Sequence, residues 1–336
     1  MSGMKVLVTG ASGMLGGAVA RALAQRGDDV TIMQRRPGGL GLRERLGDIT
    51  DPGAVAAAVA GQDAVVHLAA KVDVIGPWSD YERVNIGGTA TTLAACEAAG
   101  VTRLVHVSSP SVAHAGASLV GAGAGPADPQ HARGNYARSK ARAEQLALAA
   151  DARAAADDRP LRVVAVRPHL VWGPGDTQLV ARVVRRAQAG RLPIIGSGAA
   201  LVDTTYVDNA ADALVAALDR CPQVHGEAFV VTNGEPRPVS EIFAAWARAG
   251  GADPAPKRVP TRVALVAGTL VDGITAVRQR VGRPPADPPL TRFLVEQLTT
   301  AHWFDQRRTR DALEWTPRVS LDEGLDRLAA AYRDAG

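Results

Sequence analysis

The apolar run Val6-Leu7-Val8 leads directly into Gly10-Ala11-Ser12-Gly13-Met14-Leu15-Gly16, three glycines at a spacing of three. A strand that turns sharply into a helix while leaving room for an incoming group needs residues without a Cβ. The helix that follows such a turn presents unpaired backbone N–H groups to an anion. The feature therefore commits the start of the chain to strand, tight turn and helix, and it points to the pyrophosphate of a dinucleotide. Gly10, Ser12, Gly13, Met14, Leu15 and Gly16 are the expected cradle.

Further apolar runs recur at 30–33, 64–68, 104–107 and 163–166, separated by Ala-rich stretches with helical spacing at 17–25, 52–60 and 89–99. Parallel strands need crossover connections, so strands alternating with helices predict a parallel sheet covered on both faces. Gly27 and Gly100 stand where helices should stop, and Asp51-Pro52 where one should start. The predicted class is α/β: a doubly wound parallel sheet (Rossmann-like) with a smaller, discontinuous α/β substrate domain. Beyond Pro168 the pattern loosens into Gly- and Pro-rich turns, while a helix at 209–218 and a strand at 228–231 return to the sheet. Residues 1–168 plus 201–232 are accordingly assigned to nucleotide binding, and 169–200 plus 233–336 to substrate binding.

Hydrophobic residues at 46% and charged residues at 21% are ordinary for a folded enzyme. The net charge of +4 arises from 38 basic and 34 acidic residues without a long basic block, so nucleic acid is not an expected partner. Cys96 and Cys221 form no CxxC pair, and no histidines or cysteines show metal-ligand spacing, so neither a disulfide framework nor a metal is expected. Met1-Ser2-Gly3-Met4-Lys5 enters the first strand at once, which with the sparse cysteines predicts a cytoplasmic setting. The mostly apolar stretch 263–281 is broken by Gly268, Asp272, Gly273, Arg278 and Arg280, too often for a membrane span. It reads as a helix packed on the second domain, with a lid or peripheral membrane contact as alternatives. A homodimer is compatible with the sequence but has no signature in it.

Tyr136-Ala137-Arg138-Ser139-Lys140 puts a phenol and an ammonium four residues apart, on one face of a helix. A phenol of ordinary pKa near ~10 can give a proton to a ketone or, once ionised, take one from an alcohol, and an adjacent ammonium favours ionisation. Such a pair also arises on surface helices by chance; downstream of a dinucleotide cradle it predicts hydride-transfer chemistry. At the end of the second strand, where a carboxylate often takes the adenine ribose hydroxyls, the chain has Gln34-Arg35-Arg36. Guanidinium groups at Arg35 and Arg36 suit a phosphate dianion and favour NADP(H), with NAD(H) the alternative if both point into solvent. His169 follows Arg167-Pro168 at the carboxyl end of a strand, where sites of this fold lie; a pocket role and a structural role are both open.

Together these motifs resemble the extended short-chain dehydrogenase/reductase superfamily, whose members carry GxxGxxG in the first turn and YxxxK well downstream. The resemblance covers nearly the whole chain and extends to Gly47-Asp48-Ile49, His67-Leu68-Ala69-Ala70, Asn85, Val107-Ser108-Ser109 and Arg167-Pro168. It implies Tyr136 as acid or base, Ser109 as hydrogen-bond donor to the substrate oxygen, and Lys140 as holder of the ribose hydroxyls. Ser108 and Ser111 are the alternatives to Ser109 if the strand register slips by a residue. Asn85 joins the catalytic set as a brace or relay. Asp48 and Ile49 would meet the adenine end of the cofactor and Leu68, Ala69 and Ala70 the nicotinamide ribose, with Lys71 and Pro168 completing the contacts. Ser111, His169 and Trp172 would line the substrate pocket.

Val171-Trp172-Gly173-Pro174-Gly175-Asp176 and the stretch 202–209 look like the 3β-hydroxysteroid and sterol-carboxylate dehydrogenase branch. Within it, Gly234-Glu235-Pro236 and the segment from Glu296 to Phe304 are most similar to the 2-alkyl-3-oxoalkanoate reductases of bacterial olefin biosynthesis. That resemblance implies NADPH-dependent reduction of a ketone on a small hydrophobic substrate. Oxidation of a sterol 3β-hydroxyl and, in another class, a dinucleotide-sensing regulator without turnover are the competing readings.

Overall fold

A computed structural model describes residues 3–73, 76–114, 116–253, 257–280 and 292–334. Seven parallel strands form the central sheet: β1 (Lys5–Thr9), β2 (Asp29–Gln34), β3 (Arg43–Leu46), β4 (Ala64–His67), β5 (Arg103–Val107), β6 (Arg162–Pro168) and β7 (Ala228–Val231). Their order is β7-β6-β5-β4-β1-β2-β3, so the direction of winding reverses between β1 and β4. There Thr9 pairs with both Met33 and His67, and the chain turns that follow these strands open a crevice at their carboxyl ends.

The inner strands are buried on both faces, which is why they read as unbroken apolar runs. One face is covered by α1 (Met14–Gln25) and a helix at Val207–Val224, through Val19, Leu23, Leu214 and Leu218. The other is covered by α2 (Pro52–Val59), α3 (Gly88–Ala99) and α4 (Gly134–Ala156), through Val55, Leu93, Ala147 and Ala150. The Asp51 carboxylate caps α2 by accepting from the Gly53 and Ala54 N–H groups at 2.9 and 3.3 Å, and Gly100 ends α3 in the left-handed conformation at φ +71°.

A second core forms around Trp172, Tyr206 and Trp246, enclosed by the helices Val180–Gln188, Val239–Ala249 and Leu321–Asp334. Beside it lies a small sheet in the order Arg237–Pro238, Leu201–Val202, His302–Phe304, Leu119–Ala122. Residues 119–122 and 201–206, expected with the nucleotide-binding part, thus pair outside the central sheet. The helix Thr261–Arg280 packs on the helix Arg292–Thr299 through Ala264, which is buried with Val295 and Ile195. Its opposite face leaves Val263, Val266, Leu270 and Ile274 more than half exposed. Val281, the last residue of the apolar stretch, lies outside the described residues.

Candidate active site

The glycine turn is built by close backbone approach. Gly10 sits at φ +77°, its N–H donates to the Met33 carbonyl at 3.1 Å, and its own carbonyl accepts from Gly13 N–H at 3.1 Å. A Cβ on Gly16 would stand 2.3 Å from the Gly10 oxygen. No side chain caps the start of α1, so its first N–H groups remain available to an anion.

The crevice above this turn is a cavity of about 460 Å³. Gly10, Ser12 and Gly13 line it together with Arg35, Asp48 and Ile49 and with the segment Leu68, Ala69, Ala70 and Lys71. Asp48 holds one oxygen against the Thr50 N–H and hydroxyl, both at 2.9 Å. The Thr50 N–H leads in holding its pKa below the usual carboxylate range; the Thr50 hydroxyl and the charges of Arg83 and Arg35 act the same way, against burial. Arg83 also lines the cavity, a residue with no sequence signal. It lies on the π-helical turn Glu82–Gly87, whose extra residue per turn rotates side chains away from ordinary helical spacing.

A buried hydrogen-bond chain ties the cradle to the helix carrying the phenol. Leu68 and Ala69 donate backbone N–H groups to Thr9 Oγ1 at 3.2 Å each, Thr9 meets His67 Nδ1 at 2.9 Å, and His67 Nε2 meets Thr89 Oγ1 at 3.2 Å. The Thr89 hydroxyl spends its proton on the Asn85 carbonyl at 2.7 Å, so His67 carries its proton on Nε2 and accepts at Nδ1. Burial and the Lys140 charge hold His67 down to about 3, which keeps this ring neutral. The Asn85 side chain accepts from Lys71 N–H at 2.7 Å and donates to the Lys71 carbonyl at 3.1 Å and Ser139 Oγ at 2.9 Å. Asn85 is therefore a positioning residue that fixes the loop after β4 against α4.

Ser109, at the carboxyl end of β5, begins a single helical turn over Pro110–Ala113 and shares a 2.9 Å hydrogen bond between its hydroxyl and that of Ser111. Ser109, Ser111 and Tyr136 line one cavity of about 240 Å³; Ser108 does not line it and is buried. Burial pushes the Tyr136 phenol up to about 12, with hydrogen bonding from Ser109 pulling the other way. Burial brings Lys140 down to about 8, against the pull of Glu144. Lys140 Nζ donates to the Val107 carbonyl at 2.6 Å rather than to Tyr136, so the tuning of the phenol by this ammonium is absent from this arrangement. Lys140 lines neither cavity, although adjacent residues of one segment, Gln178 and Leu179, line the first and the second.

The remaining wall of the smaller cavity is apolar, including Leu119, Ile242, Phe243, Trp246 and Leu298, with His169 among its polar members. Trp172, expected in this pocket, stands behind it. Its ring is fully buried against Trp246 and Tyr206, and its indole N–H is satisfied by Thr204 Oγ1 at 2.9 Å. A larger hollow of about 600 Å³ along the free edge of β7 contains Arg167 and Glu144, which are spent on each other in a buried ion pair.

A family model described as the NAD dependent epimerase/dehydratase family matches residues 6–232. The chain belongs to the NAD-dependent epimerase/dehydratase family. It is similar to the 2-alkyl-3-oxoalkanoate reductase of Stenotrophomonas maltophilia, 41% identical over 337 residues, covering 98% of this chain and 99% of that protein. The reductase of the same description from Shewanella oneidensis is 35% identical, with 96% of this chain and 85% of that protein covered. Among solved structures, MoeE5 in complex with UDP-glucose and NAD superposes with a TM-score of 0.74 at 28% identity, covering 98% and 99% of the two chains.

This member of the epimerase/dehydratase family is an NAD(P)-dependent oxidoreductase of CH–OH and C=O groups. Its uncapped helix end, its turn with no room for a Cβ and its open Asp48 carboxylate fit a dinucleotide. Several residues expected at the cofactor lie outside the cavity lining. Met14, Leu15 and Gly16 are not among the residues lining the cavity; the Met14 and Leu15 side chains pack against the two cores, leaving only backbone N–H groups to offer. Arg36 and Pro168 also lie outside the cavity lining, Arg36 because its exposed side chain follows the strand end by one residue more than Arg35. Among the described residues no three His, Cys, Asp or Glu could hold a metal ion, and no helix is long and apolar enough to cross a membrane.

Proposed function

We propose that the enzyme reduces a 2-alkyl-3-oxoalkanoate to the 2-alkyl-3-hydroxyalkanoate with NADPH, in the cytoplasm. The observation that carries this reading is the pairing of Ser109 with Tyr136 in an otherwise largely apolar cavity. With the phenol held well above neutral pH, Tyr136 is protonated and ready to give its proton to a ketone oxygen. Ser109 donates a hydrogen bond to that oxygen as negative charge develops on it. The bound cofactor supplies the hydride. Lys140, one turn along the same helix, is held on the Val107 carbonyl, and Asn85 fixes the helix at Ser139. The apolar wall takes the alkyl groups and excludes water from the reacting carbonyl.

The cradle N–H groups would hold the pyrophosphate, and Arg35 with Arg83 would meet the 2′-phosphate that distinguishes NADP from NAD. The exposed face of Val263, Val266, Leu270 and Ile274 suits peripheral contact with the lipid in which a dialkyl substrate dissolves, which co-sedimentation with vesicles would test. The function itself is tested by offering synthetic 2-alkyl-3-oxoalkanoates and a panel of 3β-hydroxysteroids with each cofactor. Preferential turnover of the keto acids with NADPH is expected; turnover of steroids with NAD alone would overturn the reading in favour of the sterol branch.

A further inference from the structure

Three histidines that the reduction does not use meet in the substrate cavity. His114, His169 and His302 are each at most 9% exposed and all line it. His114 follows the turn that begins at Ser109. His169 follows β6, which pairs with β5 as far as Val107 and Val166, and lines the same cavity as Ser109 and Pro110. His302 enters from the small sheet, its ring edge-on to His114 at 4.6 Å and to His169 at 6.2 Å.

The hydrogen bonds fix where the ring protons are. Thr300 spends its hydroxyl proton on the Glu296 carbonyl at 2.6 Å, so its oxygen can only accept from His302 Nε2, at 3.2 Å. That Nε2–H also faces His114 Nε2 at 3.1 Å, which must then accept and leave the His114 proton on Nδ1. His114 Nδ1 is buried and has no partner among the described residues. His169 donates from Nδ1 to the Asp203 carbonyl at 2.6 Å, which leaves its Nε2 bare, and no hydrogen bond from a described residue reaches that atom. The histidine rings that line the cavity thus carry a donor and an acceptor that no described residue satisfies, although nearly all buried polar groups in folded proteins are paired.

We propose that His114 and His169, braced by His302, form a carboxyl-binding subsite that holds the acid group of the substrate, one carbon away from the ketone at Ser109 and Tyr136. This rests on the function proposed above. His114 Nδ1–H donates to one carboxyl oxygen, and His169 Nε2 accepts the proton that the group brings on the other. Burial keeps His169 at about 4 and His302 at about 3 and lowers His114, so the free subsite is neutral and the group enters with its proton. The charged groups facing His114 are Arg133 and Glu296, which are paired with each other, and Tyr136 is the other titratable group in the cavity. A 3-oxo acid loses carbon dioxide when its carboxyl proton bonds to its own ketone. A carboxyl group tied to imidazoles cannot make that bond, so the subsite also protects the substrate before hydride arrives.

The test uses the stable 2-alkyl-3-hydroxyalkanoate and its methyl ester, oxidised with NADP by the full chain. The readout is the ratio of kcat/KM for acid over ester. His114→Leu should lower this ratio by about twofold to tenfold, the usual worth of a hydrogen bond between neutral groups. His114→Asn, which returns an N–H near the Nδ1 position, should restore most of it. His169→Asn keeps the N–H bonded to the Asp203 carbonyl while deleting Nε2, so it should also lower the ratio even if the leucine variant fails to fold. An unchanged ratio in these variants, with the wild type still oxidising the acid, overturns the subsite alone; a wild type that oxidises neither compound overturns the function and the subsite together.

Discussion

Replacing Gly16 by Ala isolates the packing that shapes the cofactor cradle. The new Cβ would lie 2.3 Å from the Gly10 carbonyl oxygen and 2.8 Å from its carbon, about 1 Å inside ordinary contact. Both neighbours are backbone atoms, and Gly10 is held from behind by its bond to the Met33 carbonyl, so no side chain can swing aside. Overpacking of this kind costs about 1–3 kcal/mol. If the turn opens in the free protein and must close around the pyrophosphate, that cost appears in binding and weakens NADPH by roughly 5-fold to 150-fold, at about 1.4 kcal/mol per tenfold. If the turn stays strained in both states, the cost appears instead as a lower Tm, by about 2–4 °C per kcal/mol for a chain of this order of size. Gly13→Ala is the control, because its Cβ would meet the same oxygen at 3.4 Å, an ordinary contact. Titration with NADPH by fluorescence and a thermal melt of each variant read both terms. A Gly16→Ala protein with wild-type Kd and Tm, or a Gly13→Ala protein destabilised as much, would refute the packing argument.

Arg35→Ala should weaken NADPH about tenfold or more and NADH far less, because only NADPH carries the phosphate that a guanidinium grips, whereas Arg36→Ala should matter little; equal losses for both cofactors in Arg35→Ala would contradict this. Asn85→Ala removes three hydrogen bonds between the loop at Lys71 and α4, so it should lower kcat and cost about 1–3 kcal/mol in a urea melt. Five buried histidines are held below their ordinary range: His67 and His302 at about 3, His169 at about 4, and His106 and His114 lowered. As pH falls below about 6.5 the unfolded chain takes up protons that the folded one does not, so stability declines by up to about 1.4 kcal/mol per pH unit for each ring. Denaturant midpoints should therefore drop steeply between pH 6.5 and about 5, and a flat profile across that window would show that the rings are not buried as described.

The central sheet was legible because β1, β4, β5 and β6 are buried on both faces and leave unbroken apolar runs. The strand β3 was not, since Arg43-Glu44-Arg45-Leu46 lies on an exposed sheet edge and carries the charges such an edge needs. The positions of Gly10, Gly13, Ser109 and Tyr136 follow from motifs whose spacing is local. Trp172, which the resemblance put in the pocket, stands behind it because its place depends on Trp246 and Tyr206, brought in by tertiary packing. The histidine pair His114 and His302 is separated by 188 residues, and only the small sheet that joins 119–122 to 302–304 brings the two rings together. Arg83 escaped notice because an irregular helical turn has no period to read.

The most direct test of the account is turnover by Tyr136→Phe, measured beside its affinity for NADPH. The phenol hydroxyl is the proposed proton donor in the cavity it shares with Ser109, so the variant should lose turnover by at least about a hundredfold. Its Kd for the cofactor should stay within a few-fold of wild type, because the cradle lies in the separate cavity lined by Gly10 and Gly13. A Tyr136→Phe enzyme that reduces its ketone at close to the wild-type rate would contradict the proton transfer on which the account is built.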